Sequence, residues 1–250
     1  MTTNVHSGED YSSLDNQSKR YAKEKESTYR KTAVLVGVFF IIGTVAGILS
    51  GVLTIPILDT PDDVLAAVSV NPNQLVLGAI LVLVMGFAVA MIPVLLYPIF
   101  KTYNEVLALG AVIFRGVLEA VNYIGIVICW LLLLSLSQMS MTGASPTLSA
   151  LLLEASDWIN LMLAIVFCIG ALMIYYLFYK TRLIPRWLSG WGFIGAILYI
   201  AAPIWIMFDP QHPPLSLDSG IGILMAPLAL QEMILAIWLI VKGFHTPHLE

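Results

Sequence analysis

Ala108-Leu-Gly-Ala-Val-Ile-Phe-Arg115-Gly-Val-Leu-Glu119-Ala-Val-Asn122-Tyr123-Ile-Gly-Ile-Val-Ile-Cys129-Trp-Leu-Leu-Leu-Leu-Ser-Leu136 decides how the chain folds. At about 1.5 Å of helix per residue it exceeds the roughly 30 Å hydrocarbon layer of a bilayer. It nevertheless holds a cation and an anion, Arg115 and Glu119, four residues apart on one helical face. Glu232 is the other ionisable residue as deep in an apolar run.

Working outward, five more runs have similar character: 32–58, 74–100, 157–179, 188–208 and 219–241. Hydrophobic residues make up 59% of the 250 and charged residues 11%. A soluble domain carries about 25% charged residues, so a soluble fold of this size is excluded. Lipid offers no partners to free backbone groups, so each crossing must be helical. The fold class predicted is all-α, a polytopic membrane bundle of six transmembrane helices. Residues 1–31 form a basic tail of disordered composition in its first half. Its second half could be a helix lying on anionic lipid or a solvated segment. Residues 32–241 form the transmembrane domain, and 242–250 a polar tail.

Basic residues set the orientation. Six of the twelve Lys and Arg precede the first run: Lys19, Arg20, Lys23, Lys25, Arg30 and Lys31. Lys101 lies between the second and third runs, Lys180, Arg182 and Arg186 between the fourth and fifth, and Lys242 after the sixth. The opposite loops hold Asp59, Asp62, Asp63, Glu154, Asp209 and Asp218 and no Lys or Arg. The positive-inside rule puts both termini in the cytoplasm, in a multi-pass protein of the cell (inner) membrane. The basic N-terminal stretch is too long before its apolar run to be a cleavable signal.

Local signals refine the map. Asp62-Asp63 before Val64–Val70 marks a capped outer helix, and Ser145-Pro146 a short helix through Leu153. Gly43, Gly47 and Gly51 make a flat stripe suited to close packing inside the bundle. Pro93, Pro203 and Pro227 should bend their helices. Cys129 and Cys168 lie in apolar runs and read as inert buried thiols.

Arg115 is about 10 Å, Glu119 about 16 Å and Glu232 about 15 Å from the basic end of their helices. A charge near the bilayer centre costs about 2.5–3.5 kcal/mol or more, so contact explains three such depths better than chance. The third and sixth runs are predicted to pack, with Arg115 bridging both carboxylates in a pocket open to the cytoplasmic half. Gln231, Tyr97, Asn122, Tyr123, Tyr175 and Tyr176 lie at depths from which they could add hydrogen bonds. The alternative is a buried ion pair that only sets helix register.

Enzyme motifs are sparse. His6, His212, His245 and His248 all lie in tails or loops, so no apolar run supplies imidazole to a metal. Ser189 has no base nearby, and no Gly-rich phosphate loop occurs. No metal, cofactor or nucleic acid is predicted. A two-carboxylate acid/base device with Glu119 and Glu232 remains an open rival.

Several strings carry a likeness: Arg30-Lys-Thr-Ala33, Leu96-Tyr-Pro98, Leu107-Ala-Leu-Gly110, Phe114-Arg115 with Glu119, Ile184-Pro-Arg-Trp-Leu-Ser189 with Trp191-Gly192, Gln231-Glu232, Trp238-Leu-Ile, and Lys242-Gly-Phe244. Together they resemble the prokaryotic membrane family called domain of unknown function 4386, over nearly all the chain after residue 30. The resemblance implies six membrane helices and no settled activity. The function predicted is binding or transport of a small molecule or lipid through the polar pocket. An intramembrane enzyme and a structural, partner-binding subunit are the alternatives.

Overall fold

The computed structural model describes residues 7–60, 63–139, 146–209, 215 and 220–245. They are helical, with no strand among them. Seven α-helices follow in order: α1 Ser7–Leu58, α2 Val64–Val70, α3 Pro72–Phe100, α4 Glu105–Met139, α5 Pro146–Thr181, α6 Arg186–Phe208 and α7 Ala226–Val241. All except α2 belong to spans long and apolar enough to cross a membrane, the sixth running Ile223–Val241.

The boundaries follow local chemistry. Asp63 caps α2, its carboxylate accepting from Ala66 N at 3.1 Å, as the sequence predicts. Asn104 starts α4 in the same way, accepting from Leu107 N at 3.0 Å. Asn71 precedes α3, whose first residue is Pro72. Pro227 is not the mid-helix kink predicted for 219–241. It occupies the first turn of α7, where its missing N–H costs nothing, after a 3₁₀ segment Gly220–Met225. Pro93 and Pro203 do lie inside helices, α3 and α6.

Two predicted breaks are absent. The polar N-terminal segment is helical from Ser7 and continuous with the first span. It therefore extends along the span's axis rather than lying across it. No Pro occurs between Gly8 and Pro56, and residues 19–31 are rich in the strong helix formers Lys, Arg and Glu. The helix predicted to stop at Leu153 instead runs on through the fourth span to Thr181. No Gly or Pro follows Pro146 until Gly170. Most of the predicted loop 209–218 lies outside the described residues, as do residues 1–6 and 246–250.

The six spanning helices close a ring in chain order. α1 packs on α3, α3 on α4, α4 on α5, α5 on α6, α6 on α7, and α7 returns to α1. The third and sixth spans, predicted to pack, are not among the substantial helix pairs; α7 is held chiefly by α1 and α6. Small residues set the seams, as expected where lipid removes the hydrophobic drive between helices. A Cβ on Gly37 would lie 2.7 Å from the Ala236 carbonyl oxygen of α7, and one on Gly47 2.7 Å from Met85 Sδ of α3. Gly43 also faces α3, whereas Gly51 meets only Ile55 of its own helix. Outside the ring, Ile48, Val52, Phe87, Val121, Ile128, Ile194 and Ile237 are exposed, an apolar coat suited to lipid.

One end of the ring carries Lys101, Lys180, Arg186 and Lys242; the other carries Asp59, Glu154 and Asp209. The basic end is plugged by a packed core that includes Leu96, Phe100, Phe178, Leu183, Ile184 and Leu188. Phe100 and Phe178 meet edge to face at 5.0 Å. Arg30 of α1 adds a clamp here. Its guanidinium donates to the carbonyls of Ile240 at 2.8 Å and of Leu239 and Val241 at 3.3 Å. These carbonyls close the C-terminal end of α7, where that of Leu239 also accepts from Gly243 N at 3.1 Å, and the positive charge complements the helix dipole.

Candidate functional site

Inside the ring, α4 departs from regular α-helix. Val112–Leu118 forms a π-helical segment, and the Glu119 N–H reaches back to the Phe114 carbonyl. Such wide turns accommodate one extra residue and often occur at functional sites. Arg115 lies within this segment and Glu119 directly after it, and both face inward, at 1% and 0% exposure.

Arg115 Nη2 donates to Glu232 Oε1 at 2.8 Å, joining α4 to α7. The two helices do not pack broadly, so the long arginine side chain spans the gap. Its guanidinium carbon lies 4.3 Å from the Phe167 ring centroid and 5.6 Å from that of Phe40. These faces supply cation–π attraction where water is excluded. Gly170 makes the fit: a Cβ there would lie 2.7 Å from Arg115 Cβ and 2.8 Å from its backbone nitrogen. Tyr175, 1% exposed, donates to the same Glu232 oxygen at 3.5 Å, and Gly192 leaves room for its ring.

Glu119 differs from the bridged arrangement predicted. It makes no ion pair within 4.0 Å of Arg115, although the two interact electrostatically. Its Oε1 accepts from Tyr123 OH at 3.4 Å, and its Oε2 is buried without a hydrogen-bond partner. The guanidinium aims across to α7, which leaves Glu119 to the next turn of its own helix.

The remaining predicted residues divide. Gln231 is fully buried beside the pair in sequence, but it points to α6, donating from Nε2 to the Leu188 carbonyl at 3.0 Å. Neighbours on a helix face different directions, yet Gln231 also meets Tyr175, whose hydroxyl donates to Glu232. Tyr97 OH donates to Glu105 at the basic end, at 3.4 Å. Asn122 bonds back to the Leu118 carbonyl at 2.8 Å. Neither Tyr97 nor Asn122 bonds to the pair. Tyr176 is 41% exposed and turned outward.

Toward the acidic end the interior opens. One cavity of about 200 Å³ is lined by Tyr123, Asn160, Leu163, Ala164, Phe167, Tyr199, Leu215 and Met225. A second, of about 220 Å³, lies among α1, α3, α4 and α5, with Ser50, Thr54, Trp130, Tyr123 and Asn160 in its wall. Tyr123 and Asn160 belong to both. These two cavities lie in the half opposite the basic turns, whereas the sequence predicts a pocket beside those turns, where the packed core lies. Phe167, Asn160, Tyr199 and Gly170 were not singled out in the sequence. Aromatic, amide and glycine residues are ordinary in membrane helices, and only the tertiary fit distinguishes these four.

A family profile for Domain of unknown function (DUF4386) matches residues 35–243. Among curated proteins none matches the chain, and among solved structures none does. The matched stretch includes the paired Arg115 and Glu232, the buried Glu119 and the Tyr123 that joins both cavities, and this six-span membrane protein belongs to the DUF4386 family.

Proposed function

We propose that the protein binds a small molecule within the membrane, in the acidic-end cavities, and that Glu119 and the Arg115–Glu232 pair form the polar floor of that site. The observation that carries this is the Tyr123–Glu119 hydrogen bond, which links the wall shared by both cavities to an unpaired buried carboxylate. A network that served only to hold helices would have its polar atoms satisfied. Arg115 Nε, Glu119 Oε2 and Gln231 Oε1 have no hydrogen-bond partner. That weighs against a purely structural role.

The orientation proposed keeps the basic end in the cytoplasm of the cell membrane, because the Lys and Arg turns cluster there. The cavities then face outward. Release on the cytoplasmic side would require the packed core around Phe100 and Phe178 to part, with Pro93 and Pro203 as points of bending.

A thermal-shift screen tests the site. The full chain in detergent micelles is challenged with small organic cations, amino acids, organic acids and neutral polyols. At least one class should raise Tm in the natural protein and fail to do so in Asn160→Phe, which puts a bulky ring at the wall the two cavities share. A screen with no shift, or shifts unaffected by Asn160→Phe, overturns the proposal.

A further inference from the structure

Resting on that cavity reading, we infer that the ligand is a small organic cation of the ammonium type. It sits against Tyr123 and Tyr199, with Glu119 as its counter-charge.

Charge balance comes first. The positive charge of Arg115 is matched by Glu232 at 2.8 Å, and no other Lys, Arg or His falls deep in an apolar run. Glu119 is fully buried with one oxygen unpartnered. A buried carboxylate outside any ion pair is costly in this setting, and a cation placed nearby lowers the cost. An anionic ligand would meet an arginine already paired and a carboxylate beside it.

The walls agree. Tyr199 and Tyr123 line the cavity as aromatic walls; Phe167, its ring centroid 5.5 Å from that of Tyr199 and inclined at 55°, already faces the Arg115 guanidinium and backs the Tyr199 ring. Aromatic faces attract desolvated cations, and rings grouped in this way suit alkylated ammonium groups. Tyr123 also touches the carboxylate, so it couples the aromatic walls to the charge. Asn160 adds an amide at the shared boundary of the two cavities.

Size restricts the class. At about 200 Å³ the cavity falls below the roughly 300–1,000 Å³ typical of drug-sized ligands. A compact ammonium compound fits this space; a long-chain amphiphile does not.

Isothermal titration of the full chain in micelles with tetramethylammonium chloride and with choline chloride, against matched sodium chloride, tests the inference. Saturable binding of at least one is expected. Glu119→Gln should weaken it by roughly tenfold or more, and Tyr199→Leu by roughly fivefold. Tyr199→Leu leaves the buried charges intact and keeps the test decisive if Glu119→Gln fails to fold. No saturable heat for either cation, or unchanged affinity in both variants, overturns the inference. The thermal-shift screen separates the two levels of failure. If a neutral or anionic compound stabilises the natural chain but not Asn160→Phe, the cavity remains and the cation is wrong. If no compound depends on Asn160, both fall.

Discussion

Arg115 and Glu232 are 117 positions apart in sequence and 2.8 Å apart in space, joined between helices that do not otherwise pack broadly. Removing one partner of such a pair leaves a buried charge uncompensated, at a cost of about 3–5 kcal/mol. Arg115→Ala should therefore lower Tm sharply in micelles. Arg115→Met combined with Glu232→Leu should recover part of the loss, because Glu232 is then not left without its partner, while Glu119 stays buried. A double variant no more stable than Arg115→Ala alone would contradict the pairing.

Gly170 tests the seam behind the guanidinium. A methyl group there meets the backbone of Arg115 as well as its Cβ, so a side-chain rotation cannot relieve the clash. Gly170→Ala should destabilise by about 1–3 kcal/mol, as overpacking does. Gly190→Ala provides the contrast: a Cβ there meets nothing within 4 Å. It should be neutral or stabilising by up to about 1 kcal/mol, through helix propensity. Thermal melts of the two purified variants decide it.

Arg30 secures the last turn of α7 from outside that helix. Arg30→Ala should free the carbonyls of Ile240 and Val241 and leave that of Leu239 to Gly243 N alone, costing about 1 kcal/mol. Hydrogen–deuterium exchange should rise locally at residues 239–243 and stay unchanged around Arg115. Uniform loss of protection throughout the bundle would show that the contact does more than hold this end.

Access to the interior should be one-sided. In a chain whose native cysteines are replaced by alanine, Asn160→Cys should react with a small membrane-impermeant thiol reagent added from the acidic-end side. Leu188→Cys, buried at the basic end, should remain unlabelled from either side. With the orientation proposed, the reactive side is the exterior. Labelling of Leu188→Cys at a comparable rate would rule out a sealed basic end.

Much of this arrangement was legible in the sequence, and the limits are physical. Six spans follow from run length, and Arg115, Glu119 and Glu232 stand out because charges in lipid are costly. Asp63 announces the start of α2. The sequence could not place Glu119 apart from the ion pair, because the direction of the Arg115 guanidinium, across to Glu232 of α7, is set by tertiary packing. Nor could it show which half of the bundle was open. That depended on Phe100, Phe178 and Leu188 filling one end, and apolar residues look alike in sequence whether they face lipid or core. Helix ends in polar segments were the other gap: residues 7–31 and 146–156 continue neighbouring spans because nothing in them breaks a helix.

Return of α7 to α1 brings the start of the first span beside the end of the last, with Arg30 against Gly243. A short linker could join these points, and the chain could be opened at Lys101–Asn104, a turn at the same end. Such a circular permutant would keep every interhelical seam and leave both new termini on the original side of the membrane. The order in which the helices are made would change, while the closed arrangement they form would not.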